Sequence, residues 1–351
     1  MTALPFTIGQ RVVGRGAPCL VIAEAGVNHN GSLDTALKLV DAAAEAGADV
    51  VKFQTFDPVQ LASPAAPRAE YQLRATGSGD SQLSMLQSLT LPLDAYPPLQ
   101  ARARDRGIVF LSTPFDRDSA DFLDSLGLPA FKIGSGDLGN ALLLRHVARK
   151  GKPMILSTGM ANLDEARAAL QAVREINNVP LAVLHCVSAY PAESDDCNLR
   201  VIGTMAEALA VPVGFSDHTV DDLVAIAAVA AGAVIIEKHL TLDVTLPGPD
   251  HSASLEPGPF RRLVETIRRM ERALGDGVKR RMPAEEEVAA VAQRSLYWNR
   301  DLRRHDTVAE SDLVALRPQG GIPPSQWTRV AGRRVTRDVA VGEIVAAGDV
   351  E

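Results

Sequence analysis

The chain of 351 residues holds only three cysteines, Cys19, Cys186 and Cys197. Their number is odd and their spacing fits no metal finger, which argues against a disulfide framework or a cysteine-built zinc site. Positive charge is not in excess: 36 Lys and Arg stand against 43 Asp and Glu, a net charge of −7. The arginine clusters are short and scattered, so no nucleic acid partner is expected. Apolar residues make up 46% of the chain, yet no run is long enough to span a bilayer, and no charged-then-apolar leader opens it. The expectation is a cytoplasmic protein with no membrane partner. The length suits one large domain and a small one.

A repeated alternation of apolar strand patterns with helix patterns is present instead. Pro5 to Pro18 reads as a short hairpin. Strands are then expected at Cys19–Glu24, Val50–Thr55, Ile108–Thr113, Phe131–Ser135, Met154–Thr158, Leu181–Cys186, Val213–His218 and Val234–Thr241. Helical patterns fill the intervals, the first capped by Ser32, and a last amphipathic one covers Pro259–Leu274. Eight such units predict an α/β fold, a closed (β/α)8 TIM barrel over residues 1–275. An open doubly wound sheet is disfavoured, because Glu-Ala-Gly-Val-Asn-His-Asn-Gly after the first strand lacks the dinucleotide glycine spacing. Residues 57–90 form an insertion too long for an ordinary connection, expected to be a functional loop. Residues 276–291 read as a charged linker, and 292–351 as a small, mostly β domain.

In a barrel the site lies at the C-terminal ends of the strands. The polar residues fall there: Glu24, Lys52, Gln54, Thr113, Lys132, Ser135, Ser157, His185, Ser216, His218, Glu237 and His239. His218 and His239 end neighbouring strands, where two neutral imidazoles can share a divalent ion. Backbone-bonded histidines are the plainer alternative. Buried lysines are costly without partners. Lys52 and Lys132, with Ser135, Ser157 and Ser216, therefore point to an anion site, the alternative being ion pairs with Glu237 or Asp137. Glu24 follows four apolar residues, and burial suits it to acid–base work. Its alternative is an ion pair with Lys52. Cys186 reads as a small buried residue. Cations for an anion and a divalent metal for a second group suit a barrel that holds a phosphorylated or carboxylated nucleophile and polarises a carbonyl electrophile.

These stretches resemble the sialic acid synthase family. The motifs are I-A-E-A-G-V-N-H-N-G from Ile22, V-V-K-F-Q-T from Val50, F-K-I-G-S-G-D from Phe131, I-L-S-T-G-M from Ile155, L-H-C-V-S-A-Y-P from Leu184, G-F-S-D-H-T from Gly214, I-E-K-H from Ile236 and G-P-D-H-S-A-S-L-E-P from Gly248. L-R-P-Q-G-G-I-P-P from Leu316 and V-A-G-R-R from Val330 resemble the antifreeze-like (SAF) domain that ends these enzymes. The resemblance implies condensation of phosphoenolpyruvate with an N-acylmannosamine-type sugar, first of all to N-acetylneuraminate. A legionaminic or pseudaminic acid made from a diacetamido trideoxy sugar is the alternative. It implies His218 and His239 as ligands of a divalent metal, manganese first, with magnesium or cobalt as substitutes. It further implies Lys52, Lys132, Ser135, Ser157, Ser216 and Tyr190 around phosphoenolpyruvate, Glu24 as acid–base, and Gln54 and Asp250 near the sugar. Arg317 is implied to reach the sugar's N-acyl group in the partner of a domain-swapped homodimer. Ser188 stands where some members carry Asn, and Asp137 where Glu is frequent. Glu70-Tyr-Gln72, within the insertion, is expected to help choose the sugar. A metal-dependent pyruvate aldolase and a non-catalytic sugar- or ice-binding protein are weaker readings. The first leaves the phosphate-type pocket without a purpose, and the second leaves the polar strand ends without one.

Overall fold

A computed structural model of the chain describes residues 4–68, 72–73 and 81–351. Two compact units are present, one ending at Gly275 and the other covering Asp276–Glu351.

The first unit opens with an antiparallel hairpin, β1 (Phe6–Ile8) and β2 (Arg11–Val13). Eight parallel strands follow: β3 (Leu20–Gly26), β4 (Val50–Thr55), β5 (Val109–Pro114), β6 (Phe131–Ile133), β7 (Met154–Ser157), β8 (Leu181–Cys186), β9 (Val213–Asp217) and β10 (Ile235–His239). Their order is β5-β4-β3-β10-β9-β8-β7-β6. The two end strands, β5 and β6, lie side by side and complete the ring. The eight expected strands are all present, with ends moved by one or two residues. Ser32 caps the first helix, Leu33–Glu45, by accepting the N–H of Thr35.

Successive side chains of a strand point to opposite faces. One face of each strand packs outward on the helices, as with Val21, Val51, Phe53, Phe110, Leu156 and Phe215. The other faces the barrel interior. Its lower part is apolar, built from Leu20, Ile22, Val50, Leu111, Ile155, Leu184 and Ile235, with Ile8 and Val13 of the hairpin packed against them. Continuing two residues along the same faces leads from Ile22 to Glu24, Val50 to Lys52, Ile155 to Ser157, Leu184 to Cys186 and Ile235 to Glu237. The pattern that builds the barrel's core thus also sets a ring of polar side chains above it.

The insertion after β4 begins with Asp57 capping a short helix, Pro58–Leu61, and ends with a helix at Gln82–Leu89. Met85 and Leu89 pack against Val27 and Phe56. Glu70 and Tyr71, expected to help choose the sugar, lie outside the described residues.

The second unit holds an antiparallel pair, β11 (Ser295–Trp298) and β12 (Leu313–Leu316), over a core that includes Trp298, Leu302, Val330 and Val345. The stretch read as a linker contains a helix, Glu286–Ala292, and groups with this unit.

Candidate active site

Glu24 and Lys52 are paired in register on β3 and β4. Lys52 Nζ lies 2.7 Å from Glu24 Oε2 and donates to Thr113 Oγ1 at 2.9 Å. Gln54 Nε2 donates to Glu24 Oε1 at 3.1 Å. From β10, Glu237 reaches both lysines: Oε1 is 3.4 Å from Lys132 Nζ, and Oε2 is 3.7 Å from Lys52 Nζ. Lys132 also donates to Ser157 Oγ at 2.6 Å, and Ser216 Oγ donates to Glu237 Oε1 at 3.0 Å. All of these except Gln54 are buried. The result is an alternating array, Glu24–Lys52–Glu237–Lys132, supplied by four strands and surrounded by hydroxyls.

Its electrostatics follow from burial and pairing. Burial pushes the Glu24 carboxyl up; Lys52 opposes this and Glu237 adds to it, leaving the group raised. Burial pulls Lys52 down, but Glu237 and Glu24 outweigh it and leave the ammonium raised. Burial also acts on Lys132, which stays lowered despite Glu237. Glu237 is pushed up by burial, yet Lys132 and Lys52 draw it down to about 2. Asp250, at the start of the loop turn His251–Ala253, is raised to about 7 by burial and by the charge of Glu24.

The histidines stand together at the rim. Their ring centroids are 5.6 Å apart, and Tyr190 packs over both, at 4.2 Å from His218 and 5.8 Å from His239. His218 Nδ1 bonds the carbonyl of Val187 at 2.7 Å, so this nitrogen carries the proton and Nε2 keeps a free lone pair. His239 Nδ1 is buried without a hydrogen-bond partner. Burial lowers both imidazoles, and His218 lowers His239 further. Neutral rings with unspent nitrogens fit a divalent ion. No group of three or more His, Cys, Asp or Glu side chains is placed to hold a metal among the described residues. Water or substrate would therefore complete the coordination. Gly26 keeps the rim open: its φ is +52°, and a Cβ there would lie 3.3 Å from Gln54 Nε2 and 3.7 Å from His239 Cε1.

Ser135 accepts the N–H of Gly159 at 3.0 Å and lies 3.2 Å from Cys186 Sγ. Arg317 is an exposed residue of the second unit, next to Pro318.

The lysines are ion-paired, and Glu237 is the carboxylate that stands between them. Asp137 bonds Asn140 at 2.9 Å instead of a lysine. His185 turns away from the interior and bonds the carbonyl of Cys197 at 2.7 Å. Cys186 is buried, as expected, and its thiol faces inward beside Ser135. Period two carries the signal for the last two, since adjacent residues of one strand cannot share a face.

A parallel barrel whose C-terminal rim gathers two buried lysines, two carboxylates, hydroxyls and paired histidines has the makings of a barrel enzyme's active site. Residues 39–279 match the NeuB family and residues 293–351 the SAF domain. The chain belongs to the NeuB family. It is 43% identical over 333 residues to the N,N′-diacetyllegionaminic acid synthase of Legionella pneumophila, covering 94% of each chain. It is 42% identical over 328 residues to the enzyme of that name from Campylobacter jejuni, covering 93% of this chain and 98% of the relative. The crystal structure of N-acetylneuraminic acid (sialic acid) synthetase from Leptospira borgpetersenii matches with 33% identity and a TM-score of 0.72, over 82% of this chain and 95% of that one.

Proposed function

We propose that the chain condenses phosphoenolpyruvate with an N-acylated amino sugar to form a nonulosonic acid and phosphate, and that the acceptor is a diacetamido trideoxy sugar giving a legionaminic-type acid. The motifs alone put N-acetylneuraminate first. Two legionaminic acid synthases at 42–43% identity, against 33% for the sialic acid synthetase, support the change of order.

The observation that carries the reaction is the Glu24–Lys52–Glu237–Lys132 array. Phosphoenolpyruvate brings a phosphate and a carboxylate, and two buried ammoniums can exchange their carboxylate partners for it. Ser135, Ser157 and Ser216 add donors. C3 of phosphoenolpyruvate bonds to the acceptor's aldehyde carbon, water adds at C2, and the C2–O bond to phosphate breaks. Glu24, raised by burial, holds and moves the proton of that water, while Gln54 and Lys52 orient its carboxyl. Asp250 and Gln54 face the sugar. A divalent ion, manganese first, held by His218 and His239, supplies Lewis-acid polarisation of the acceptor carbonyl when bound. Tyr190 orients the two imidazoles.

The proposal extends to a homodimer in which Arg317 of one copy meets the N-acyl group bound in the other; its support is the family resemblance. A cytoplasmic location fits the presence of no helix long and apolar enough to cross a membrane among the described residues.

The test is phosphate release with purified protein, phosphoenolpyruvate and manganese, with diacetamido trideoxy sugars beside N-acetylmannosamine. Faster release with a diacetamido sugar, abolished by a chelator, is expected. Preference for N-acetylmannosamine would restore the other order. No release with any sugar would remove the reaction.

A further inference from the structure

We propose that Cys186 is a positioning residue for the bound phosphoenolpyruvate: its thiol donates to Ser135 and thereby turns the Ser135 hydroxyl proton toward the anion. This rests on the reading of Ser135 as part of the phosphoenolpyruvate pocket.

The argument is one of lone pairs and protons. A serine hydroxyl has one proton and two acceptor lone pairs. One lone pair of Ser135 Oγ is taken by the N–H of Gly159, at 3.0 Å. The sulfur of Cys186 lies 3.2 Å from the same oxygen, and either atom can be the donor. If Ser135 donated to sulfur, its remaining lone pair would face the pocket, and a phosphate or carboxylate with no proton to give would be repelled. If Cys186 donates instead, both lone pairs are filled and the hydroxyl proton has only the pocket to point to. An anionic ligand therefore selects the second arrangement. Ser188 Oγ, 3.8 Å from the sulfur, is placed to donate to it and favours the same direction along the chain Ser188–Cys186–Ser135.

The packing keeps this arrangement tight. A Cβ at Gly159 would meet Ser188 Oγ at 2.2 Å, Cys186 Sγ at 2.6 Å and Ser135 Oγ at 2.9 Å, so only glycine lets the three polar atoms converge over its backbone. Cys186 is itself buried and faces the barrel interior. A thiol is a weak donor, so the effect belongs at the small end of the hydrogen-bond range.

The experiment compares full-length, metal-loaded wild type with Cys186→Ala, Cys186→Val and Cys186→Ser. Its readouts are KM for phosphoenolpyruvate, KM for the acceptor, and inhibition by inorganic phosphate. Ala removes the donor and the volume, Val removes the donor and keeps volume, and Ser restores a donor. The expected result is a KM for phosphoenolpyruvate raised about three- to tenfold in Ala and Val, with phosphate inhibition weakened in parallel. The acceptor KM should be unchanged, and Ser should lie near wild type. In a Ser135→Ala background, Cys186→Ala should have no further effect, because its action runs through that hydroxyl. Wild-type values in both Ala and Val, or an undiminished effect without Ser135, would overturn the inference. Wild type that binds no phosphoenolpyruvate would overturn the pocket assignment and this inference together, and is told apart by the wild-type measurement alone.

Discussion

Two sites in this barrel bury lysines, and they differ in how completely the charge is answered. Lys238 points outward from β10. Its ammonium meets Asp217 Oδ2 at 2.7 Å and the carbonyls of Thr219 and Asp221 at 2.6 and 2.8 Å. Asp217 in turn accepts from the N–H and hydroxyl of Thr219. Every strong donor there has a partner, and nothing is left for a ligand. On the inner face of the barrel, Lys52 on β4 meets Glu24 at 2.7 Å and Thr113 at 2.9 Å, and Lys132 on β6 meets Ser157 at 2.6 Å. The carboxylate they share, Glu237, stands at 3.7 and 3.4 Å, distances of charge contact more than of good hydrogen bonds. The outer site is a closed structural clamp. In the inner site the long contacts to the shared Glu237 are the ones that can give way, as a site requires if its partners are to change when substrate arrives.

The sharpest way to break this comparison is to remove one partner from each site. Asp217→Asn leaves Lys238 buried without a counter-charge and should cost about 3–5 kcal/mol of stability, read from denaturant unfolding. A cost below about 1 kcal/mol would mean the clamp is not one. Lys132→Ala is expected to act the other way round. Glu237 keeps Lys52, so the stability loss should be smaller, about 1–3 kcal/mol, while phosphate release should fall about 10²–10³-fold through loss of a desolvated charge partner. Equal effects of the two substitutions on stability would erase the distinction between the faces.

Asp250 sharpens the comparison through pH. Its carboxyl is raised to about 7 by burial and by Glu24, so between its ordinary value and 7 the folded protein holds a proton that the unfolded chain has lost. Stability must then fall as pH rises through that window and level off above it. Wild type should gain on the order of a few kcal/mol relative to Asp250→Asn as pH is lowered from about 8 to 4, measured by parallel unfolding titrations. A difference independent of pH would show that Asp250 is not held neutral.

Much of this site was legible in the sequence because period two and strand order are local properties. Apolar residues at 20 and 22 announce Glu24 on the same face, and those at 235 announce Glu237. The alternation also separates His185 from Cys186, although counting polar strand ends put His185 in the site and left the thiol out. What the sequence did not carry is which side chains meet across the closed ring. Glu237 meets Lys52 and Lys132, which stand 80 residues apart on β4 and β6, only because the ring brings β10 across from both. Distances of that kind depend on barrel geometry and on the rotamers of long side chains, which no local pattern encodes. The choice of acceptor was equally out of reach, since the motifs quoted bear on phosphoenolpyruvate and metal more than on the sugar.

Ser216→Ala gives the smallest and most discriminating test. Ser216 and Asp217 are neighbours on β9, one facing in and the other out. The Ser216 hydroxyl donates to Glu237 Oε1 at 3.0 Å, in the same way that Lys238 donates to Asp217 on the outer side. Without it, Glu237 still faces two ammoniums, so no charge is orphaned and the loss should be about 1 kcal/mol, that of one hydrogen bond. The KM for phosphoenolpyruvate should rise about two- to tenfold by the same measure. A stability loss above about 3 kcal/mol would mean that the inner carboxylate is fixed as rigidly as the outer clamp, and that the lysines cannot exchange partners when the substrate binds.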